Sequence, residues 1–275
     1  MHGELFLTGY TMLSQAAVGL IIMLWIGSLF IGKEIDSKRA NKAFLTAAVF
    51  SVMAMIISTL HLGSPFKAMN SLNNLATSWL SREIVMTNLF FLTTIWGVYV
   101  SRKRLSVKLP LLLGSIFGAF CVLCQAAIYA QTVFPAWSFG HAYVTFFAAT
   151  LAMGSFLAVI FLLIDSKTEN SAKVCLIYTL IATGAIIGVA GFYSLFTAQL
   201  PEAGLAGYKS LELLQEYQLL FVLRWVCSGI AIIGLGIAAY QHRLTSGIIA
   251  LAILAIIGET LNRVVFYGIA AGIGL

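Results

Sequence analysis

The sequence predicts an all-α integral membrane protein, a bundle of eight transmembrane helices with both termini on the outer face. Three observations predict it. Of 275 residues, 60% are hydrophobic and only 9% are charged, whereas a soluble domain carries about 25% charged residues on its water-facing surface. Apolar runs of about 20 residues, enough to cross a bilayer, recur from end to end. The basic residues also fall in alternate connections, as topology control requires.

The runs cover approximately 9–31, 43–63, 84–100, 109–131, 141–164, 174–196, 219–241 and 247–270, all within one transmembrane domain. Before the first, MHGELFLTGY lacks the basic region of a cleavable leader, so this run is expected to stay as a span. The third is short, and its start is left open by polar Ser81, Arg82 and Glu83, which lead into it. The connections after the odd-numbered spans hold Lys33, Lys38, Arg39 and Lys42; Arg102, Lys103, Arg104 and Lys108; Lys167 and Lys173; and Arg243. The even-numbered ones hold Lys67, Arg82 and Lys209, which places the odd connections in the cytoplasm.

Two outer connections are long. Residues 64–83 open on Ser64-Pro65, an N-cap followed by a first-turn proline. Phe66, Met69, Leu72, Leu75 and Trp79 then recur at helical spacing with Lys67, Asn70, Asn73 and Asn74 between them, a pattern that fits a short helix lying in the interface. Residues 197–218 carry Glu202, Glu212, Glu216 and one lysine, and predict a second surface helix.

Ionisable groups at membrane depth mark either function or a buried ion pair. His61 closes the second span and Glu83 opens the third; Arg224 lies on the seventh, and Glu259 and Arg263 on the eighth. All five belong to the outer half. Glu259 and Arg263, four residues apart, share a face and can neutralise one another; Arg224 can reach the headgroups or pair with Glu259. Haem is disfavoured, because His2, His61, His141 and His242 provide no mid-membrane pair of axial ligands. Cys121 and Cys124 form a CxxC, but one turn deep in an apolar run, with no second pair, it reads as packing and no metal is expected. The net charge of +6 is dispersed in short loops, which speaks against a nucleic-acid partner.

The segments His61-Leu-Gly-Ser-Pro-Phe-Lys-Ala-Met-Asn-Ser-Leu-Asn, Ser78-Trp79-Leu80-Ser81-Arg82-Glu83-Ile84 and Gly258-Glu259-Thr260-Leu261-Asn262-Arg263-Val264-Val265-Phe266-Tyr267-Gly268 resemble the membrane-anchor subunit of the dimethyl sulfoxide reductase family. Arg224-Trp225 and Pro135-Ala136-Trp137 also match family positions. The resemblance implies a haem-free anchor in the bacterial inner membrane. Such an anchor oxidises menaquinol and passes electrons to an iron–sulfur subunit and a molybdopterin catalytic subunit on the periplasmic side, where both termini would lie. It implies quinol-site roles for His61 and Glu83. Lys67 stands where family members often carry arginine, so the charge is kept but the planar fork is lost.

The residue chemistry fits that role. Quinol oxidation releases two protons, and an imidazole suits the first transfer. His61 is the expected acceptor and Glu83 the expected exit to water. Ser64 is expected at the quinol site, Lys67, Asn70 and Asn73 are expected to bind the headgroup or dock the partner, and Arg224, Glu259 and Arg263 are expected on the inner wall. Two rivals stand beside this reading: a transporter of a small anion, and a passive anchor without a quinol site. The four prolines (Pro65, Pro110, Pro135, Pro201) lie at helix ends or in loops and give no sign of the broken helices of transporters.

Overall fold

The computed structural model describes residues 2–31, 35–61, 74–138, 140–164, 169–241 and 245–270, and among these it is helical with no strand. The helices are α1 (His2–Phe30), α2 (Ser37–His61), α3 (Trp79–Arg102), α4 (Lys108–Ala130), α5 (His141–Leu162), α6 (Glu169–Gln199), α7 (Leu205–Glu216), α8 (Gln218–Tyr240) and α9 (Gly247–Gly268). Eight of them, all but α7, are long and apolar enough to cross a membrane. Short 3-10 turns at Pro135–Trp137 and Leu200–Ala203 precede α5 and α7.

Several boundaries differ from the hydropathy pattern for one reason: polar residues at headgroup depth continue a helix that hydropathy alone ends. α3 begins at Trp79 rather than 84, because the Ser78 hydroxyl accepts from the Ser81 N–H at 3.3 Å and caps it. Trp79 therefore belongs to a span and not to an interfacial helix. α6 extends at both ends of the expected 174–196. The surface helix expected within 197–218 is α7, with an exposed Lys209–Glu212 pair at 3.4 Å.

The spans form two rings of four with a shared wall. In the first, α1 packs on α2, α2 on α3, α3 on α4 and α4 on α1; in the second, α5 packs on α6, α6 on α8, α8 on α9 and α9 on α5. α1 against α5 and α9 joins them. Leu20, Ile21, Met23 and Leu24 bury the middle of α1, while Leu92, Phe120, Leu180, Ile187 and Ile233 turn outward to the lipid.

Where α1 crosses α5 the backbones nearly touch. A Cβ on Gly19 would stand 2.0 Å from the Thr150 carbonyl oxygen, and one on Gly154 would stand 2.4 Å from the Gly19 carbonyl. Small residues permit such crossings, and in lipid van der Waals contact is a main force between helices. Gly19→Ala is therefore expected to destabilise the bundle by about 3 kcal/mol, since neither obstructing atom is a flexible side-chain end. Thermal unfolding of the detergent-solubilised protein measures it, with Gly188→Ala, which meets nothing within 4 Å, as the control.

Successive spans run antiparallel, so Lys38, Lys42, Arg102, Arg104 and Lys108 gather at one end of the bundle. Glu83, Arg224, Glu259 and Arg263 gather toward the other.

Candidate functional site

The start of α3 sorts two neighbouring charges. Arg82 turns outward, donating to the carbonyls of Leu75 (2.9 Å) and Ala76 (2.6 Å) and lying 4.4 Å over the Trp79 ring. Glu83, the next residue, turns inward and is 5% exposed. The Tyr10 hydroxyl of α1 donates to its Oε1. Gln125 Nε2 of α4 then donates to the Tyr10 oxygen at 3.2 Å and to Ser14 Oγ at 2.9 Å, so three helices fix the carboxylate. One turn further along α3, Thr87 pairs with Cys121 at 3.2 Å. Cys121 is thus a packed side chain, as the apolar setting of its CxxC predicts; it and Cys124 are free and buried.

Two cavities of about 210 Å³ meet at this carboxylate. The first lies between α2 and α3, walled by Met55, Leu80 and Ile84, with Ser58 and Thr59 as polar points and half-open to the outside. The second is more enclosed and lies between α1, α3 and α4, walled by Phe6, Leu7 and Ile128, with Thr11, Gln125 and Tyr129 as its polar groups. Tyr10, Ser58, Leu80 and Glu83 line both. An apolar chamber with a few convergent polar groups is the usual form of a small-molecule site.

His61 is the last residue of α2, one turn beyond Ser58. Its side chain, together with Ser64, Lys67, Asn70 and Asn73, lies outside the described residues. Arg224 and Glu259 come together elsewhere, Arg263 takes separate partners, and none of the three lines either cavity. Of the two pairings open to Glu259, the one with Arg224 forms and the one with Arg263 does not. Glu259 faces α8, with Oε1 4.0 Å from Arg224 Nη2, and both side chains are buried. Arg224 does not reach the headgroups; it is fully buried, 4.3 Å over Trp225. Arg263 turns toward α1 and α5, donating to Gln15 Oε1 at 2.7 Å and resting 3.8 Å over Phe146.

The two clusters meet on α1. Tyr10 and Ser14 point to Glu83 and Gln125, whereas Thr11 and Gln15 point to Tyr267 and Arg263. The Tyr267 hydroxyl donates to the Tyr129 hydroxyl at 3.0 Å, which returns the line of contacts to the second cavity. An aromatic cluster of Tyr129, Trp137, Phe146 and Phe266 packs behind it, pinned by Trp137 Nε1 donating to the Phe266 carbonyl at 2.7 Å. His141 is buried, with Nδ1 2.9 Å from the Ala136 carbonyl and its ring stacked on Phe196 at 4.0 Å. Among the described residues no group of three or more His, Cys, Asp or Glu is placed to hold a metal.

Sequence reasoning missed Tyr10, Gln125, Tyr129 and Tyr267. A tyrosine near the end of a span ordinarily reads as part of the interfacial belt. The available signal was spacing: Tyr10 with Ser14, and Thr11 with Gln15, put hydrogen-bonding groups one turn apart on two adjoining stripes of one apolar helix.

The family model described as DMSO reductase anchor subunit (DmsC) matches residues 1–269. This protein belongs to the DMSO reductase anchor subunit family. It is similar to the YnfH subunit of an anaerobic dimethyl sulfoxide reductase of Escherichia coli, 29% identical over 272 residues that cover 97% of this sequence and 94% of that one. The C subunit of the anaerobic dimethyl sulfoxide reductase of Haemophilus influenzae is 25% identical over 287 residues, covering 99% and 96%. The corresponding C subunit of Escherichia coli is 25% identical over 283 residues, covering 97% and 94%. No solved structure matches the protein. A DMSO reductase anchor subunit is a multi-pass membrane protein that implies catalytic and electron-transfer partners, which agrees with eight spans and few residues outside them.

Proposed function

We propose that this anchor subunit binds menaquinol beside Glu83 and oxidises it. The electrons pass to an iron–sulfur subunit, which feeds a molybdopterin catalytic subunit. The observation that carries the proposal is the buried Glu83–Tyr10 pair set between two cavities. A quinol is an apolar ring system with two hydroxyls, and that is the chemistry these walls complement. The ring enters from the lipid past Met55, Leu80 and Ile84 of the half-open cavity, and a hydroxyl meets the polar floor.

Oxidation of one quinol releases two electrons and two protons. His61, at the end of α2, accepts the first proton. Glu83, held in orientation by Tyr10 and Gln125, accepts the second and passes it outward through the enclosed cavity. Ser64, Lys67, Asn70 and Asn73 follow His61 in sequence and supply hydrogen bonds to the headgroup or to the docked partner. Arg224 and Glu259 tie α8 to α9 within the second ring, and Arg263 braces that ring against Gln15 of α1. The anchor lies in the bacterial inner membrane with both partners on the periplasmic side, and the count of basic loop residues supports placing the termini and the site on that same side.

His61→Ala tests the reading against a passive anchor. In the assembled complex, turnover driven by a naphthoquinol is expected to fall at least about 100-fold, the usual scale of a lost proton acceptor. Reduction of the terminal acceptor by a soluble dye that bypasses the membrane subunit should continue unchanged. Retained quinol turnover in an assembled His61→Ala complex means that the protein only tethers its partners.

A further inference from the structure

At the end of the bundle opposite Glu83, a notch of about 370 Å³ opens between α2 and the α3–α4 turn, lined by Ser37, Lys38, Asn41, Lys42, Ser101, Arg102 and Arg104. Its floor is built: Asn41 Nδ2 donates to the Val98 carbonyl at 3.2 Å and to Ser101 Oγ at 3.1 Å, which clamps the two helices together. Four cations surround that floor, and among the described residues none of the four has a carboxylate at ion-pair distance. Arg39, beside them in sequence, is used differently: it donates to the carbonyls of Leu162 and Ile164 at the end of α5.

Helix stability alone does not explain this arrangement. Lys38 and Lys42 sit four apart in the first turns of α2, where like charges repel and where the helix dipole disfavours cations. Arg104 has φ +56°, a backbone region that residues other than glycine avoid, and it is the turn that brings its guanidinium to the notch. An anion seated among the four would relieve the repulsion and satisfy the dipole. The notch lies at the ends of two spans, Ser37–Leu60 and Trp79–Arg102, which is headgroup depth in a bilayer.

We propose that this notch binds a phosphate group, supplied by the headgroup of an anionic phospholipid. Guanidinium and ammonium groups at a membrane-facing cleft between helices are the chemistry that recognises such headgroups. The diester phosphate meets Arg102, Arg104 and Lys42, and the acyl chains lie along the apolar outer faces of α2 and α3.

Native mass spectrometry of the full-length protein, with phosphatidylglycerol, phosphatidylcholine or inorganic phosphate added to the micelle, tests this. Phosphatidylglycerol should be retained in preference to phosphatidylcholine. Replacing Lys42→Gln and Arg104→Gln together should weaken its retention roughly 30-fold, from about fivefold per basic residue at a charged membrane surface. Lys108→Gln, an exposed cation of the same face outside the notch, should change nothing. Equal retention of the two lipids, or an equal loss with Lys108→Gln, overturns the site in favour of diffuse surface attraction. Displacement of the lipid by inorganic phosphate at equal concentration overturns the lipid assignment. Should the double variant fail to fold, a salt titration of the unaltered protein decides. Phosphatidylglycerol retention must fall between about 0.05 and 0.5 M salt while phosphatidylcholine retention holds, and parallel behaviour of the two sinks the proposal.

Discussion

Glu83→Gln is expected to reduce naphthoquinol-driven turnover of the assembled complex by about 10²–10³, the scale of a removed general base. The substitution keeps the shape of the side chain, and the amide oxygen still accepts from Tyr10, so the three-helix contact and the fold persist. What it removes is a group able to take a proton. Dye-driven reduction by the partner subunits should be unchanged, which separates loss of proton transfer from loss of assembly. Tyr10→Phe provides the graded companion: it frees Glu83 to rotate while leaving its carboxyl in place, so the expected loss is smaller and falls on KM as well as on kcat. Quinol turnover within about twofold of the unaltered complex for Glu83→Gln would remove Glu83 from the reaction altogether.

The largest expected effect on stability lies at Arg224 and Glu259. Each is buried, and their nearest charged atoms are 4.0 Å apart. Deleting one partner leaves a charge in a low-dielectric interior, a loss of about 3–5 kcal/mol. Arg224→Met and Glu259→Gln should therefore each lower the unfolding midpoint of the solubilised protein sharply. The double replacement should recover most of the loss, because it removes both charges together. Additive single effects would show that the two side chains are supported separately, Arg224 by the Trp225 ring at 4.3 Å and Glu259 by other neighbours. Because neither residue lines the cavities beside Glu83, the double variant is also expected to keep its quinol turnover if it assembles.

The eight spans were legible because hydropathy over about 20 residues is a bulk property that lipid enforces. Their ends were not. Ser78, Ser81, Arg82 and Glu83 look like a loop on any polarity scale, yet Ser78 caps a helix in which Arg82 folds back over Trp79 and Glu83 turns to the interior. Pairing was equally hidden. Glu259 and Arg263 share a face by spacing, but four residues leave about 40° of rotation, enough to aim one at α8 and the other at α1. Of the site, Glu83 was visible as a carboxylate at the opening of the third span, with its role implied by the family resemblance. Tyr10 and Gln125 were not, since no local pattern states which neighbour a hydroxyl or an amide faces. His61 and the Ser64–Asn73 stretch came from motif resemblance and chemistry, which do not depend on the neighbours that decide Glu83.

The bond between Gln15 and Arg263 joins positions 248 residues apart. During translation α1 enters the bilayer long before its partner on α9 has been made. Until then its amide must be met by lipid headgroups, by water or by the insertion machinery. Docking of the second ring on α1 is thus among the last events of biogenesis, and a ribosome that stalls before the final span leaves polar atoms of the opening helix exposed.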